Sequence, residues 1–134
     1  MNFYIVGTLG EGLQKTKNIK FLGWISKEEM IELRNKSAIC LRLPQHDGYS
    51  LTVIEALSYG HEVIWTIPHE QCYFIRNVEH AELIFKDVVN NIKNRNLLRN
   101  KNNIQFAKSN FSQKIIMSNF IKKIEEVTNY KNYK

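Results

Sequence analysis

The stretch Pro44–Gly60, PQHDGYSLTVIEALSYG, decides how this chain is read. An apolar run, Ser37–Leu43 (SAICLRL), precedes it, and a second, Val63–Thr66 (VIWT), follows. Both have the composition of buried strands. Between them the residues are first polar and then take helical spacing. Ser50 suits an N-cap and Gly60 a C′ position, which predicts a helix from about Leu51 to Tyr59. Strand, loop, helix, strand is the unit of a parallel α/β sheet. Ligands of such sheets sit at the carboxyl ends of the strands, and the loop Gln45–Ser50 lies at one of them.

Two acids mark the stretch. Asp47 is in the loop, and Glu55 is in the second turn of a helix otherwise built from Leu51, Val53, Ile54, Ala56 and Leu57. A carboxylate in that setting loses hydration unless it finds a partner. Two readings stay open for Glu55. It points to solvent or pairs with a nearby cation, or it accepts hydrogen bonds from ligand hydroxyls. Gly48 lets the backbone come close to a ligand. The N–H groups at Tyr49–Thr52 open the helix and suit an anion such as phosphate. An anion at a helix tip with two acids to grip hydroxyls is the chemistry of a phosphorylated sugar or a nucleotide sugar.

From Asp47 to Leu57 the residues DGYSLTVIEAL resemble the E-x7-E signature of retaining GT-B glycosyltransferases of the glycogen-synthase and mannosyltransferase kind. That family usually reads Glu-Gly-Phe-Gly-Leu, three residues, then Glu-Ala. Here Asp47 stands where the family has Glu, one methylene shorter. Phe21-Leu22-Gly23 is similar to the family's Phe-Leu-Gly segment, and Ile5-Val6-Gly7 to its Ile-Val-Gly strand. The resemblance spans about residues 3–66 and is weak from 67 to 110. It implies a Rossmann-like three-layer α/β domain with a mostly parallel sheet, residues 1–134 forming the single donor-binding domain. It implies a nucleoside-diphosphate sugar donor and transfer of the sugar to an acceptor, in glycan or cell-surface polysaccharide synthesis. Glu55 would grip the ribose hydroxyls, and Asp47, the catalytic residue, would bind hydroxyls of the transferred sugar. The amides of Tyr49, Ser50 and Leu51 would hold sugar or phosphate oxygens beside Gly48. Trp24 and Ile25, just after Phe-Leu-Gly, would border the base, or Trp24 is simply a rim aromatic.

The family's acceptor domain, and the first strand and helix of its donor domain with their Arg and Lys, have no counterpart before Met1. The expectation is a fragment, truncated at its N-terminal strand and helix, or a subunit whose acceptor domain comes in cis or from another chain. In the family fold the absent strand is central, between those matching Phe3–Val6 and Ala38–Leu43. Buried unpaired backbone groups are costly, so those two strands are expected to close up and pair directly.

Composition bounds the alternatives. The chain has 134 residues, 43% of them hydrophobic and 24% charged, enough for one domain with its own core. No run approaches a membrane span and no signal peptide opens the chain, so a cytoplasmic location is expected. Cys40 and Cys72 lie singly in apolar runs and read as buried free thiols. The net charge of +6 suits nucleic acid, an anionic membrane surface or phosphorylated small molecules. Most lysines fall after Lys86, interleaved with Asn on what read as solvated helix faces. No nucleic-acid motif accompanies them, so nucleic acid is not expected as a partner, while peripheral association with a membrane stays open. The two Asp residues, Asp47 and Asp87, form no D-x-D pair, so no metal or other cofactor is expected. A non-catalytic nucleotide-sugar-binding module is the alternative to an enzyme, and a basic nucleic-acid-binding domain is a more distant one.

The remaining segments read as follows. Asn2–Val6 and Ile19–Leu22 are strands, joined by a link too short for a crossover helix. The glycines of Gly7-Thr8-Leu9-Gly10-Glu11-Gly12 serve a tight turn rather than a nicotinamide cofactor, because no acid ends the next strand to hold a ribose. Ser26-Lys27-Glu28-Glu29 is a capping box ahead of a stripe of Met30, Ile31 and Leu33. His46, beside Asp47, is a donor-sugar contact, an acid/base group or simply exposed. Ile67-Pro68-His69-Glu70 lacks the family's glycines, so Glu70 is not carried over. Cys72–Ile75 is a last strand. Helical spacing covers Glu79–Lys93 and, more weakly, Asn94–Ser109. A final helix capped by Ser112 carries Ile115, Ile116, Phe120, Ile124 and Val127, with Asn129–Lys134 as a frayed tail.

Overall fold

The computed structural model describes residues 1–14, 16–48, 50–96 and 98–131, the last three by backbone alone. In chain order the elements are β1 (Phe3–Val6), β2 (Ile19–Gly23), α1 (Lys27–Lys36), β3 (Ile39–Arg42), α2 (Leu51–Ser58), β4 (Glu62–Trp65), β5 (Cys72–Phe74), α3 (Val78–Arg95), α4 (Lys101–Phe111) and α5 (Gln113–Lys131). The fold is α/β with parallel strands throughout the described residues. Its contacts divide into two compact units, Met1–Lys36 and Ser37–Lys134.

In the first unit β1 pairs with β2 in parallel, Phe3 opposite Ile19 and Ile5 opposite Phe21. The glycine-rich link folds back on this pair as a turn. Gly10 is left-handed at φ 71°, and a Cβ there would lie 2.6 Å from the Phe21 ring, so only glycine lets the backbone cross the ring. At the start of α1 the capping box forms as the sequence predicts. The Ser26 Oγ accepts from Glu29 N at 3.1 Å, and Glu29 Oε2 accepts from Ser26 N at 2.7 Å. On the helix itself Met30 and Leu33 are half-covered, but Ile31 is exposed.

The second unit is a three-layer sandwich around β4, whose four residues are all buried. The sheet order is β3-β4-β5, with Cys40, Val63 and Cys72 in one register row. Strand alternation sends Val63 and Trp65 to one face, where they meet Val53, Ala56 and Leu57 of α2 and Ala107 of α4. Ile64 goes to the other face and packs with Ile75 and with Val88 of α3. Cys40 and Cys72 are free thiols, half-buried rather than fully buried, and both pack on the α2 face. Burial and the nearby Cys40 push the Cys72 thiol up to about 12, so it stays protonated and unreactive at neutral pH.

The foot of β4 is polar. Glu62, 2% exposed, pairs with Arg95 in the last turn of α3 and accepts from Asn100 Nδ2 at 3.2 and 3.3 Å. Asn100 also caps α4, its Oδ1 accepting from Asn102 N and Asn103 N. Asn103 Nδ2 donates to the His61 carbonyl at 2.8 Å. Just before β4, α2 ends in a Schellman turn: Gly60 N donates to Leu57 O and His61 N to Ala56 O. Gly60 is left-handed at φ 73°, and its carbonyl accepts from Asn100 N at 2.7 Å.

Several boundaries differ from the sequence reading. The weak helix expected from Asn94 begins only at Lys101, because Asn96 turns left-handed and ends α3 there. Helix α5 runs on to Lys131, so the expected frayed tail is helical over its first half; residues 132–134 lie outside the described set. The closed sheet is not formed. Among the described residues no ladder joins β1 to β3; β1 pairs with β2, and β3 with β4 alone. That expectation rested on a β3 buried on both faces. Leu41 is in fact exposed and the other three residues are half-buried, so the outer edge of β3 is not forced to pair.

Removing the Glu62 carboxylate would strand Arg95 and Asn100 at the foot of the sheet. Glu62→Ala is expected to cost roughly 2–4 kcal/mol in urea unfolding, below the figure for a fully buried pair because Arg95 keeps part of its hydration. A loss under about 0.5 kcal/mol, the size of an ordinary surface change, would show that this cluster does not hold the layers together.

Candidate functional site

The site is built at the carboxyl ends of β3 and β4. Cys40 packs toward α2, so Arg42, two residues on, leaves β3 on the same face. Its Nε donates to Asp47 Oδ2 at 2.9 Å. On the neighbouring strand end, Thr66 Oγ1 donates to the Pro44 carbonyl at 2.6 Å, and Thr66 N to the Arg42 carbonyl at 3.3 Å. The loop is therefore fastened near its start by Thr66 and in its middle by Arg42.

Asp47 is only 12% exposed, and Arg42 is 41% exposed. The hydrogen bond from Arg42 holds the Asp47 carboxyl below its ordinary value of 3.8, against the opposing effect of burial. The charge of Arg42, a hydrogen bond from Ser50 and the Trp65 indole add to the lowering. The indole acts at longer range: Trp65 is buried, and its Nε1 reaches no acceptor at hydrogen-bonding geometry among the described residues.

Ser50 occupies the N-cap position of α2 with extended backbone, but its hydroxyl makes no capping bond. Its carbonyl accepts from Val53 N at 3.0 Å and Ile54 N at 3.1 Å. The amides of Leu51 and Thr52 belong to the first turn, where the helix presents its positive end. Leu51, Thr52 and Glu55 are exposed, while Val53, Ala56 and Leu57 face the core. The exposure of Glu55 agrees with the first of its two readings, a side chain on the outer face of the helix.

The structure brings Asp47, Ser50, Leu51 and Arg42 together at the mouth of α2, with Glu55 one turn along its outer face. Gly48 is exposed, and a Cβ there would meet nothing within 4 Å, so the fold itself does not demand glycine. The expectation for Tyr49 lies outside the described residues. His46 and Glu70 are exposed. Trp24 and Ile25 belong to the first unit. There Trp24, 92% exposed, stands at the rim of a shallow cleft of about 400 Å³ that runs over Gly7, Thr8 and Glu11 at the ends of β1 and β2. Ile25 is half-buried. Among the described residues no group of three or more His, Cys, Asp or Glu could hold a metal ion.

Sequence reasoning passed over Arg42, Thr66 and Trp65. Arg42 left a signal: it is the one charged residue in the run SAICLRL, five positions before Asp47. Thr66 and Trp65 left none, because they reach the loop only through the pairing of β3 with β4. No family model matches the chain, and no curated protein matches it.

The Asp47 pairing fixes a pH dependence. Its carboxyl is lowered in the folded chain, so the pairing contributes stability fully above the unfolded value near 3.8 and loses it as pH falls through the folded value. The carboxyl carbon of Asp47, followed by NMR, should titrate below 3.8 in the wild type and return toward 3.8 in Arg42→Gln. An identical midpoint in both proteins would show that Arg42 does not hold this acid.

Proposed function

We propose that this chain is the donor-nucleotide half of a retaining GT-B glycosyltransferase. The observation that carries the reading is the fastened loop. The D-G-Y-S-L-T-V-I-E stretch starts at the carboxyl ends of two parallel strands and opens α2 with Glu55 outward. That is the place where open α/β sheets take ligands. In this reading Glu55 accepts hydrogen bonds from the ribose hydroxyls, and the amides of Ser50 and Leu51 meet phosphate or sugar oxygens. Asp47, ionised across the physiological range, offers its remaining lone pairs to hydroxyls of the transferred sugar. The bond from the sugar's anomeric carbon to the diphosphate oxygen breaks, and the diphosphate leaves with the electron pair. A bond from the same carbon to an acceptor oxygen forms, and the acceptor's proton passes to the oxygen of the leaving diphosphate. Arg42 and the positive end of α2 would stabilise the charge that develops on the leaving diphosphate.

One observation favours the second reading, a nucleotide-sugar-binding module without turnover. Asp47 is already held by Arg42, which leaves it less free to work on a sugar.

Calorimetry against nucleoside diphosphates and their sugars tests the binding that both readings share. Wild-type chain should bind a nucleoside diphosphate, equally with EDTA and with magnesium. Glu55→Gln should weaken it by about 1–3 kcal/mol, the loss of a charge-assisted hydrogen bond. Equal affinity in wild type and Glu55→Gln, with the fold intact, would remove Glu55 from the site. A requirement for metal would count against the GT-B reading.

A further inference from the structure

The most exposed apolar surface in the second unit is on α5. At about 100° per residue, Ile116, Phe120, Ile124 and Val127 fall on one line along this helix, with Met117 and Ile121 beside them. Together they cover an arc of roughly 140°, wider than a two-helix seam needs. Each of these six side chains is exposed, Phe120 at 59%. Periodicity in the sequence marks Ile115, Ile116, Phe120, Ile124 and Val127 as the apolar stripe of this helix, and all five are exposed.

Charge indicates what covers it. Residues 86–134 hold eleven Lys and Arg against three Asp and Glu, while residues 1–85 hold eight against ten. The whole positive excess of the chain therefore lies in its C-terminal part. On α5, Lys114 borders one edge of the apolar arc and Lys123 the other, and Lys122 lies on the opposite side. Lys123 is in turn paired with Glu126 at 2.9 Å, on the polar side. Apolar residues in a band edged by lysines, on a helix too polar to cross a bilayer, are the pattern of a helix that lies in a membrane interface.

A second copy of the chain fits this surface less well. Face-to-face packing would bring two strongly basic segments together. We propose that α5 docks on an anionic membrane surface, its apolar arc entering the headgroup boundary and its flanking lysines meeting lipid phosphates. This inference stands on α5 alone and does not depend on the donor site.

Flotation of the full chain with vesicles tests it. Vesicles with 30% phosphatidylglycerol in phosphatidylcholine, on the order of the anionic content that attracts basic segments, should bind at least about ten-fold more protein than pure phosphatidylcholine. Raising the salt should lower binding. The double variant Phe120→Ser/Ile124→Ser and the double variant Lys114→Gln/Lys123→Gln should each cut binding about five-fold or more; all four positions are exposed, so circular dichroism should be unchanged. No binding to anionic vesicles, or equal binding to neutral ones, would overturn the proposal. So would a loss with the lysine variant but none with the apolar variant, the mark of general attraction to polyanions. Sedimentation equilibrium should find a monomer. A dimer abolished by Phe120→Ser/Ile124→Ser would assign the face to a second copy instead.

Discussion

The second unit depends on one buried carboxylate. Among the described residues Glu62 opens the only strand whose every side chain is buried, and it sits where three helix ends converge. Arg95 closes α3 on it, Asn100 starts α4 on it, and the Schellman turn of α2 leads directly into it. A carboxylate there is costly unless fully partnered, and the partners come from segments more than thirty residues away in sequence. The ion pair therefore acts less as a source of net stability than as a constraint on register. Layers that slid by a residue would leave the charge without a partner.

That constraint explains what could be read from the sequence and what could not. The elements were legible because their signals are local. The capping box at Ser26, the glycine after α2 and the apolar run Val63–Thr66 that overlaps β4 each describe their own surroundings. The short link between β1 and β2 was legible too, since the glycines at 7, 10 and 12 leave little room for a helix. The assembly was not. Nothing near Glu62 in sequence announces that it is buried, and a charged residue at the start of a strand would ordinarily be placed at the surface. The pairing of β1 with β3 was expected from the need to satisfy backbone groups, a sound rule applied to a strand that turned out to be half-open. The apolar stripe of α5 was legible as well, but periodicity shows only that a helix has an apolar face, not what that face meets.

The candidate site shows the same division. Its loop and helix, with Asp47, Ser50, Leu51 and Glu55, were placed from spacing alone. The side chains that fasten the loop were not, because Thr66 and Trp65 come from the next strand. Arg42 changes the chemistry most. It turns Asp47 from an open acid into half of an ion pair and sets a cation beside the positive end of α2. Any anion that reaches this mouth meets a guanidinium and helix amides, with one carboxylate already neutralised. This distribution of charge favours a phosphate over a bare sugar as the first group to settle.

Helix α2 is also a short rod, about 12 Å long by its eight residues. One end is the mouth just described, and the other is Gly60, whose backbone bonds to both Leu57 and Asn100. A Cβ at Gly60 would come within 3.0 Å of the Ile104 side chain and 3.1 Å of the Asn100 carbonyl, in a backbone conformation that already resists a side chain. Such a change would tilt or shift the rod at its foot and carry the amides of Leu51 and Thr52 with it. The aim of the mouth is thus set from the far end of the helix, so tolerance to mutation cannot be judged by nearness to the mouth. A residue that no ligand could touch belongs among those on which recognition would most depend.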